Sequence, residues 1–422
     1  MVELLSPAGS LKHMRYAFAY GADAVYAGQP RYSLRVRNND FDYEKLNQGI
    51  QESHNQGKRF YVVLNIIPHN SKIKTFIQDI SPIVKMNPDA FIVSDPGLIM
   101  MLKDSFSNIN IHLSVQSNAI NWATVKFWKK IGLSRIILSR ELDIEEIYEI
   151  HKKVPDIELE VFIHGALCMA YSGRCLLSSY LSKRDANQGA CTNICRWKYD
   201  INQNEKIKEK KQTYKSVIIN RNNSNLEKMQ VIEDIHGTYI LNSKDLCGIK
   251  YIKELLNSGV CSFKIEGRTK SFYYCARTAQ IYRNAIDDAI SGRPFNNDLL
   301  KMLSGLSNRG YTSGFFKRHD DDDMNRQNYI FGHSVSYTQK FVGEFTGQYK
   351  DHFAEVNVKN KFSIGDNLEL ITPIENFKFI LDAMLDKNKS SIIHAKGNGY
   401  IVYLKIPKKI NLKFALLIKN LI

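Results

Sequence analysis

The sequence predicts an α/β protein: a (β/α)8 barrel of the TIM type with an insertion after its seventh strand, followed by a small C-terminal all-β barrel domain. Three observations point there. Short apolar, β-branched runs alternate with longer amphipathic stretches from residue 2 to about 290, the alternation repeats through eight strands, and beyond about 330 it gives way to short alternating strands separated by turn residues. With 422 residues, 44% of them hydrophobic, the chain can bury more than one core.

In order, the strand candidates are VELLS (2–6), DAVYAG (23–28), RFYVVLN (59–65), DAFIVSD (89–95), IHLSVQS (111–117), SRIILSR (134–140), ELEVFIHG (158–165) and CSFKIEG (261–267). Between them LKHMRYAFAYG, YEKLNQGIQESHNQG, WATVKFWKKIG and IEEIYEIHKKV carry helical periodicity, and several end in Gly as helix C-caps do. TYILNS (238–243) is one further candidate strand. KIKEKKQTYK (206–215) lies in a polar stretch running to about 228, expected as a mobile insertion of about 200–235 at the catalytic face, within reach of RNA. The run HDDDD (319–323) marks a boundary. We therefore expect a catalytic barrel over 1–290, a linker over 291–330, and a β domain over 331–422 that holds RNA or stabilises the fold.

Lys and Arg number 58 against 43 Asp and Glu, a net charge of +15. Such a field draws in polyanions, so nucleic acid is the expected partner, unless the lysines are compositional drift in a chain also rich in Asn and Ile. No run of 18 apolar residues exists and the first residues lack a basic segment followed by an apolar one, so neither a membrane span nor a signal peptide is expected. The expected compartment is the cytoplasm, where disulfides do not persist.

Alternate strand residues share a face, and near the C-terminal rim of a barrel the inward face can be polar. That periodicity puts His112, Ser114 and Gln116 inward on one strand, Glu158, Glu160, Phe162 and His164 on another, and Ser262, Lys264, Glu266 and Arg268 on a third. So much interior polarity suits a ligand-filled site at the rim. His164, Glu160 and Lys264 are the catalytic candidates, with His164 as a proton-transfer group. Each has a plainer alternative: Glu160 pairing with Lys264 inside the barrel, His164 as a satisfied core histidine. Arg140, Arg196 and Arg268 suit carboxylate or phosphate, with Gln116 and Glu266 also lining the substrate. SPAG (6–9) is either an anion seat at a helix start or an ordinary turn.

Four of seven cysteines fall within 168–195, as C-x6-C-x15-C-x3-C. This is not zinc-ribbon spacing. Cys168, Cys175, Cys191 and Cys195 on a loop closing the barrel suit a [4Fe–4S] cluster; the alternative is that some are buried small hydrophobes. Cys261 and Cys275 are expected in packing, and Cys247 is a substitute ligand.

EVFIHGALCMAYSGRCLLS (160–178), ELLSPAGS, GADAVYAG and FKIEGRTKS together resemble the signature blocks of the collagenase-like peptidase family, family 32 of unknown catalytic type. NQGACTNICRW (187–197), HGTYILNSKDL (236–246) and KIEGRTKSFYYCARTAQIYRNAIDDA (264–289) resemble its branch of prephenate-dependent hydroxylation of the tRNA wobble uridine. The resemblance spans nearly the whole chain. It implies a barrel with a C-terminal β domain, a cysteine-bound [4Fe–4S] cluster, oxygen-independent hydroxylation to 5-hydroxyuridine with prephenate as co-substrate, and tRNA as partner; an electron donor or cluster-assembly proteins are further candidate partners that the sequence does not decide. Other branches place a cluster cysteine after NSKDL, so the fourth ligand is Cys195 or Cys247. The family's peptidase label keeps a second function open. Against it, no H-E-x-x-H or G-x-S-x-G occurs, and His164 with Cys168 is the one local thiol–imidazole pair. A third reading, a non-catalytic RNA-binding protein, leaves the interior acids and thiols without a role.

Overall fold

The structure is a computed structural model that describes residues 2–35, 39–168, 243–317, 338–350, 353–397, 399–407 and 410–421, together with 170–171, 175, 178, 184, 186, 189–196, 199–202, 215–221, 229–233 and 334–336. Eight parallel strands form its first domain: β1 (Glu3–Pro7), β2 (Ala24–Gly28), β3 (Arg59–Leu64), β4 (Ala90–Val93), β5 (Ile111–Leu113), β6 (Arg135–Ile137), β7 (Glu158–Ala166) and β8 (Val260–Ile265). β8 pairs with both β7 and β1, which closes the barrel. Helices α1 (Leu11–Ala19), α2 (Tyr43–His54), α3 (Phe76–Lys85), α4 (Pro96–Ser105), α5 (Trp122–Lys130), α6 (Ile144–Lys153), α7 (Ile252–Asn257) and α8 (Phe272–Ile290) follow the strands in turn.

Local chemistry starts these helices where the sequence places them. The side chains of Asp42, Asp95 and Asn121 each accept a backbone N–H of the first turn, and Asp143 with Glu146 forms a full capping box on α6. β5 is shorter than its run of alternating residues suggests. The Ser114 hydroxyl accepts the Gln116 N–H at 3.4 Å, and the chain turns through a 3-10 segment, Val115–Ser117, into a left-handed Asn118.

Beyond β7 the short strand Asp245–Cys247 runs antiparallel to the end of β7, with Tyr311–Thr312 beside it. Within the insertion, Tyr199–Asn202, Lys215–Arg221 and Met229–Glu233 make a three-stranded antiparallel sheet. Its basic stretch 206–214, most of the TYILNS candidate and the HDDDD boundary lie outside the described residues.

The C-terminal domain is an antiparallel sheet of β9 (Gln339–Lys350), β10 (Phe353–Val358), β11 (Asn367–Ile371), β12 (Asn376–Ile380), β13 (Ile401–Lys405) and β14 (Leu416–Asn420). The order is β12-β11-β14-β9-β10-β13, with Met384–Leu385 at the end. Its own core includes Val342, Phe345, Val356, Leu368, Leu404 and Leu417. The all-β domain expected after the barrel is thus present as an antiparallel sheet, with Phe362–Ser363 and His394–Ala395 as a second, two-stranded one. It is fastened to the barrel by polar contacts as well as apolar ones. The Tyr20 hydroxyl on the α1 side reaches the carbonyls of Ile371 and Phe414, and the wholly buried Arg277 of α8 pairs with Glu369 at 3.2 Å. No helix among the described residues is long and apolar enough to cross a membrane.

Candidate functional site

The barrel interior is layered. At its N-terminal end lies a closed ionic network: Glu3 accepts from Tyr61 (2.6 Å), Arg59 (3.0 Å), Ser262 (2.8 Å) and Arg135. Arg135 also reaches Glu160 at 3.1 Å, and Lys264 Nζ donates to the other oxygen of Glu160 at 2.7 Å. Burial alone would push the Glu3 carboxyl up, but Arg135 and the hydroxyl donors hold it below the usual range. His112 packs edge-on against Tyr61, and burial together with Arg135 and Lys264 keeps it neutral, well below the usual imidazole value.

The Lys264 ammonium marks the next layer, 4.4 Å from the Tyr26 ring centroid and 5.5 Å from that of Phe162. Above it, at the C-terminal mouth, Glu266 is surrounded by guanidinium groups. Arg140 lies 3.4 Å away and stacks on Phe162 at 3.9 Å, while donating to the Ala166 carbonyl. Burial pushes the Glu266 carboxyl up, and Arg140, Arg35, Arg268 and Lys264 together bring it below the ordinary carboxylate value. Arg268 donates to the Leu34 carbonyl at 2.6 Å, yet its Nη1 and the Nε of Arg140 are buried without hydrogen-bond partners. The Ser33 hydroxyl is likewise orphaned, and both it and Arg268 Nη1 crowd over Gly28, where a Cβ would come within 2.2 and 2.4 Å of them. Buried donors without acceptors at a barrel mouth are what an anion would satisfy.

Arg35 joins this anion seat to the cysteine loop. Its backbone is left-handed (φ 65°), and its guanidinium hydrogen-bonds Cys191 and lies close to Cys168 and Glu266. Burial alone lowers its pKa, and these three anionic or thiol groups more than reverse that. The loop is pinned from within: Ser178 and Thr192 hydrogen-bond at 2.9 Å, and the Asn193 N–H points to the Cys191 sulfur at 3.4 Å. Cys168 is exposed, Cys175, Cys191 and Cys195 are half-buried, and none of the four is in a disulfide. Among the described residues no three or more of His, Cys, Asp and Glu stand at metal-ligating spacing. In kind, thiols suit an iron–sulfur group, and two of the four, Cys168 and Cys191, lie beside the Arg35 guanidinium.

Residues 9–326 match the model of peptidase family U32, and residues 337–418 match that of the family's C-terminal domain. The chain belongs to peptidase family U32. It is 56% identical to tRNA hydroxylation protein P of Haemophilus influenzae, covering 100% of this chain and 96% of that one. The protein of the same name from Escherichia coli is 57% identical over 99% of this chain and 96% of its own. More distantly, the E. coli 23S rRNA 5-hydroxycytidine C2501 synthase is 30% identical, over 88% of this chain and 52% of that protein.

In this U32 chain the residues singled out from sequence divide into groups. Arg140, Arg268 and Glu266 come together at the mouth, and Cys168 and Cys191 meet them through Arg35. Glu160 and Lys264 are neighbours, but within the sealed lower interior, where they pair with each other. His164 departs from the expected inward face. β7 and β8 pair Phe162 with Lys264 but His164 with Ile265, so one extra β7 residue intervenes and turns His164 outward toward α8. There its Nδ1 meets the Tyr282 hydroxyl at 3.1 Å among the rings of Tyr274, Tyr282 and Tyr311, and burial pushes its pKa down to about 4. Gly165, at φ +107°, completes the irregularity, because a Cβ there would strike the Glu266 carbonyl. Gln116 is half-buried on the 3-10 turn after β5. The Arg196 side chain lies outside the described residues. Cys247 is buried, its thiol pushed up to about 11 by burial and receiving the Tyr282 hydroxyl at 3.8 Å, which suits packing rather than ligation. Arg35 and Ser33 were missed; the signal for them was RYSLRVR (31–37), a basic loop directly after the C-terminal end of a barrel strand.

Proposed function

We propose that this chain is an RNA-modifying hydroxylase acting on tRNA, converting the wobble uridine to 5-hydroxyuridine with prephenate as co-substrate and a [4Fe–4S] cluster held by Cys168, Cys175, Cys191 and Cys195. The observation that supports it most is the ring of Arg35, Arg140 and Arg268 around Glu266, beside Cys168 and Cys191, at the barrel face where such enzymes place their chemistry. Near-full-length relatives named for tRNA hydroxylation support the same reading.

The chain's own part is binding and orientation. Arg140 and Arg268 offer unsatisfied N–H groups to the carboxylates of the co-substrate, and their planar forks suit that geometry. Glu266 holds the guanidinium groups in place. The Tyr26 and Phe162 rings floor the mouth and separate it from the ionic network below. Arg35 spans the co-substrate seat and the thiol loop. A bound cluster would supply one-electron transfer at this mouth. The net charge of +15 suits phosphate contacts outside it. For a peptidase, His164 would have to activate Cys168, and a neutral imidazole facing Tyr282 is poorly suited to that.

The test is nucleoside mass spectrometry of tRNA from a strain lacking the gene. Hydroxylated wobble uridine should vanish and return with the wild-type gene, whereas Arg140→Ala should restore little. Unchanged hydroxyuridine in the deletion strain, with no second enzyme making it, would overturn the reading.

A further inference from the structure

Large apolar side chains stand open to solvent at the barrel mouth itself. Ile67, in the loop after β3, and Ile120, in the loop after β5, are each 42% exposed, and Trp122, the first residue of α5, is 39% exposed. All three follow the C-terminal ends of barrel strands, so they lie on the face that carries Arg140. A single exposed apolar residue is ordinary, whereas several around one rim mark a contact surface.

Hydrogen bonds between neighbouring loops hold this rim in shape. The Ser94 hydroxyl, after β4, donates to the Ile66 carbonyl at 3.0 Å, and the Ser117 hydroxyl donates to the Ser94 carbonyl at 2.7 Å. Further along, the Ser139 hydroxyl donates to Asn118 and the Ser139 N–H to the Ala119 carbonyl at 3.1 Å. Ile67 and Ile120 each come directly after a residue of this belt, and Arg140 comes directly after Ser139.

The rim is also basic. No Asp or Glu occurs over residues 66–78 or 114–140. Asp95, between these stretches, is committed to the Leu98 N–H as the cap of α4. Lys126 is exposed one turn along α5 from Trp122, on the same side of the helix, and pairs with no carboxylate among the described residues. An open indole with an ammonium group one turn away is a stacking platform beside a phosphate contact, the combination that holds unpaired nucleotides.

We propose that Ile67, Ile120 and Trp122 form a shelf for an unpaired nucleotide of the RNA substrate next to the one that reacts, its base stacked on Trp122 and its phosphate at Lys126. The shelf rests on the RNA-hydroxylase reading above and names the surface over which the strand enters the mouth.

The experiment titrates the full chain with an unmodified tRNA bearing a wobble uridine, following tryptophan emission and Kd together. Binding should quench the wild-type emission. Trp128 is 9% exposed, and Trp122→Phe should lose most of the quench while its Kd stays within about threefold, because phenylalanine keeps a ring. Trp122→Ala should raise Kd about tenfold with an unchanged melting temperature, since the side chain is already open to solvent. Lys126→Ala should lower the slope of log affinity against log salt by about one. Phe127→Ala, on the same helix and 53% exposed but farther from the rim, should shift Kd by less than about twofold. Equal losses in Trp122→Ala and Phe127→Ala would make the length of α5 a docking face and overturn the shelf. Unchanged Kd in Trp122→Ala, with the quench kept in Trp122→Phe, would overturn it too, and both results leave the hydroxylase reading standing. A wild-type chain with no measurable tRNA affinity would overturn both.

Discussion

Glu160 and Lys264 form a 2.7 Å ion pair with both side chains sealed in the barrel, at 0% and 3% exposure, and Arg135 is the second cation on the same carboxylate. Such a pair is costly to break from one side, because the survivor keeps its desolvation penalty without its partner. Glu160→Leu should therefore lower unfolding free energy by about 3–5 kcal/mol in a urea titration. If the variant were as stable as wild type, the pair would be poised for chemistry rather than built into the fold.

His164 gives a prediction about acid stability. Its folded pKa lies near 4 against 6.5 for the free side chain, because burial among tyrosines disfavours the imidazolium. A depressed folded value means the unfolded chain takes up the proton first, so stability present above pH 6.5 is lost as pH falls toward 4. The shift corresponds to roughly 3 kcal/mol. His164→Asn should flatten the stability profile between pH 6.5 and 4, with residual dependence from His112, and should retain tRNA hydroxylation near neutral pH. Complete loss of hydroxylation in a folded His164→Asn protein would return this residue to the chemistry.

All eight barrel strands were legible because parallel strands buried on both faces read as short apolar runs, as AFIV in β4 and RII in β6 do. The face of His164 was not legible. Period-two alternation assumes unbroken register, and the irregularity opposite Lys264 and Ile265 belongs to the pairing of two strands, not to either alone. For the same reason Glu160 and Lys264 were correctly placed inward but at the wrong height, since depth follows from strand stagger. Arg35 was hidden because its partners Cys191 and Glu266 are distant in sequence and its left-handed backbone carries no glycine signature.

That backbone makes Arg35 a test of strain retained for function. A non-glycine residue at φ 65° costs about 1 kcal/mol relative to an extended one, and glycine removes the cost. Arg35→Gly should match or exceed wild type in thermal unfolding. It should nonetheless lower tRNA hydroxylation about tenfold or more, through the lost hydrogen bond to Cys191 and the lost positive charge near Glu266. Arg35→Lys should recover only part of the loss, because a point charge cannot span both groups. Full activity in Arg35→Gly would show that the guanidinium is dispensable.

The cysteines supply the final prediction, which bears on the proposed cluster and its fourth ligand. Cys168, Cys175, Cys191 and Cys195 follow β7 at the mouth, exposed or half-buried and in no disulfide. Cys247 is 7% exposed on the short strand paired with β7 and directed to Tyr282, and its thiol is pushed up to about 11. Ligation by Cys247 would require a thiolate in an apolar setting and release of its place in the core. After anaerobic reconstitution, Cys191→Ala and Cys195→Ala should each lose most of the bound iron and sulfide. Cys247→Ala should keep both and lose only about 1 kcal/mol of stability from the vacated volume. Loss of iron from Cys247→Ala with retention in Cys195→Ala would reassign the fourth ligand, and colourless wild-type protein carrying one zinc would remove the iron–sulfur proposal altogether.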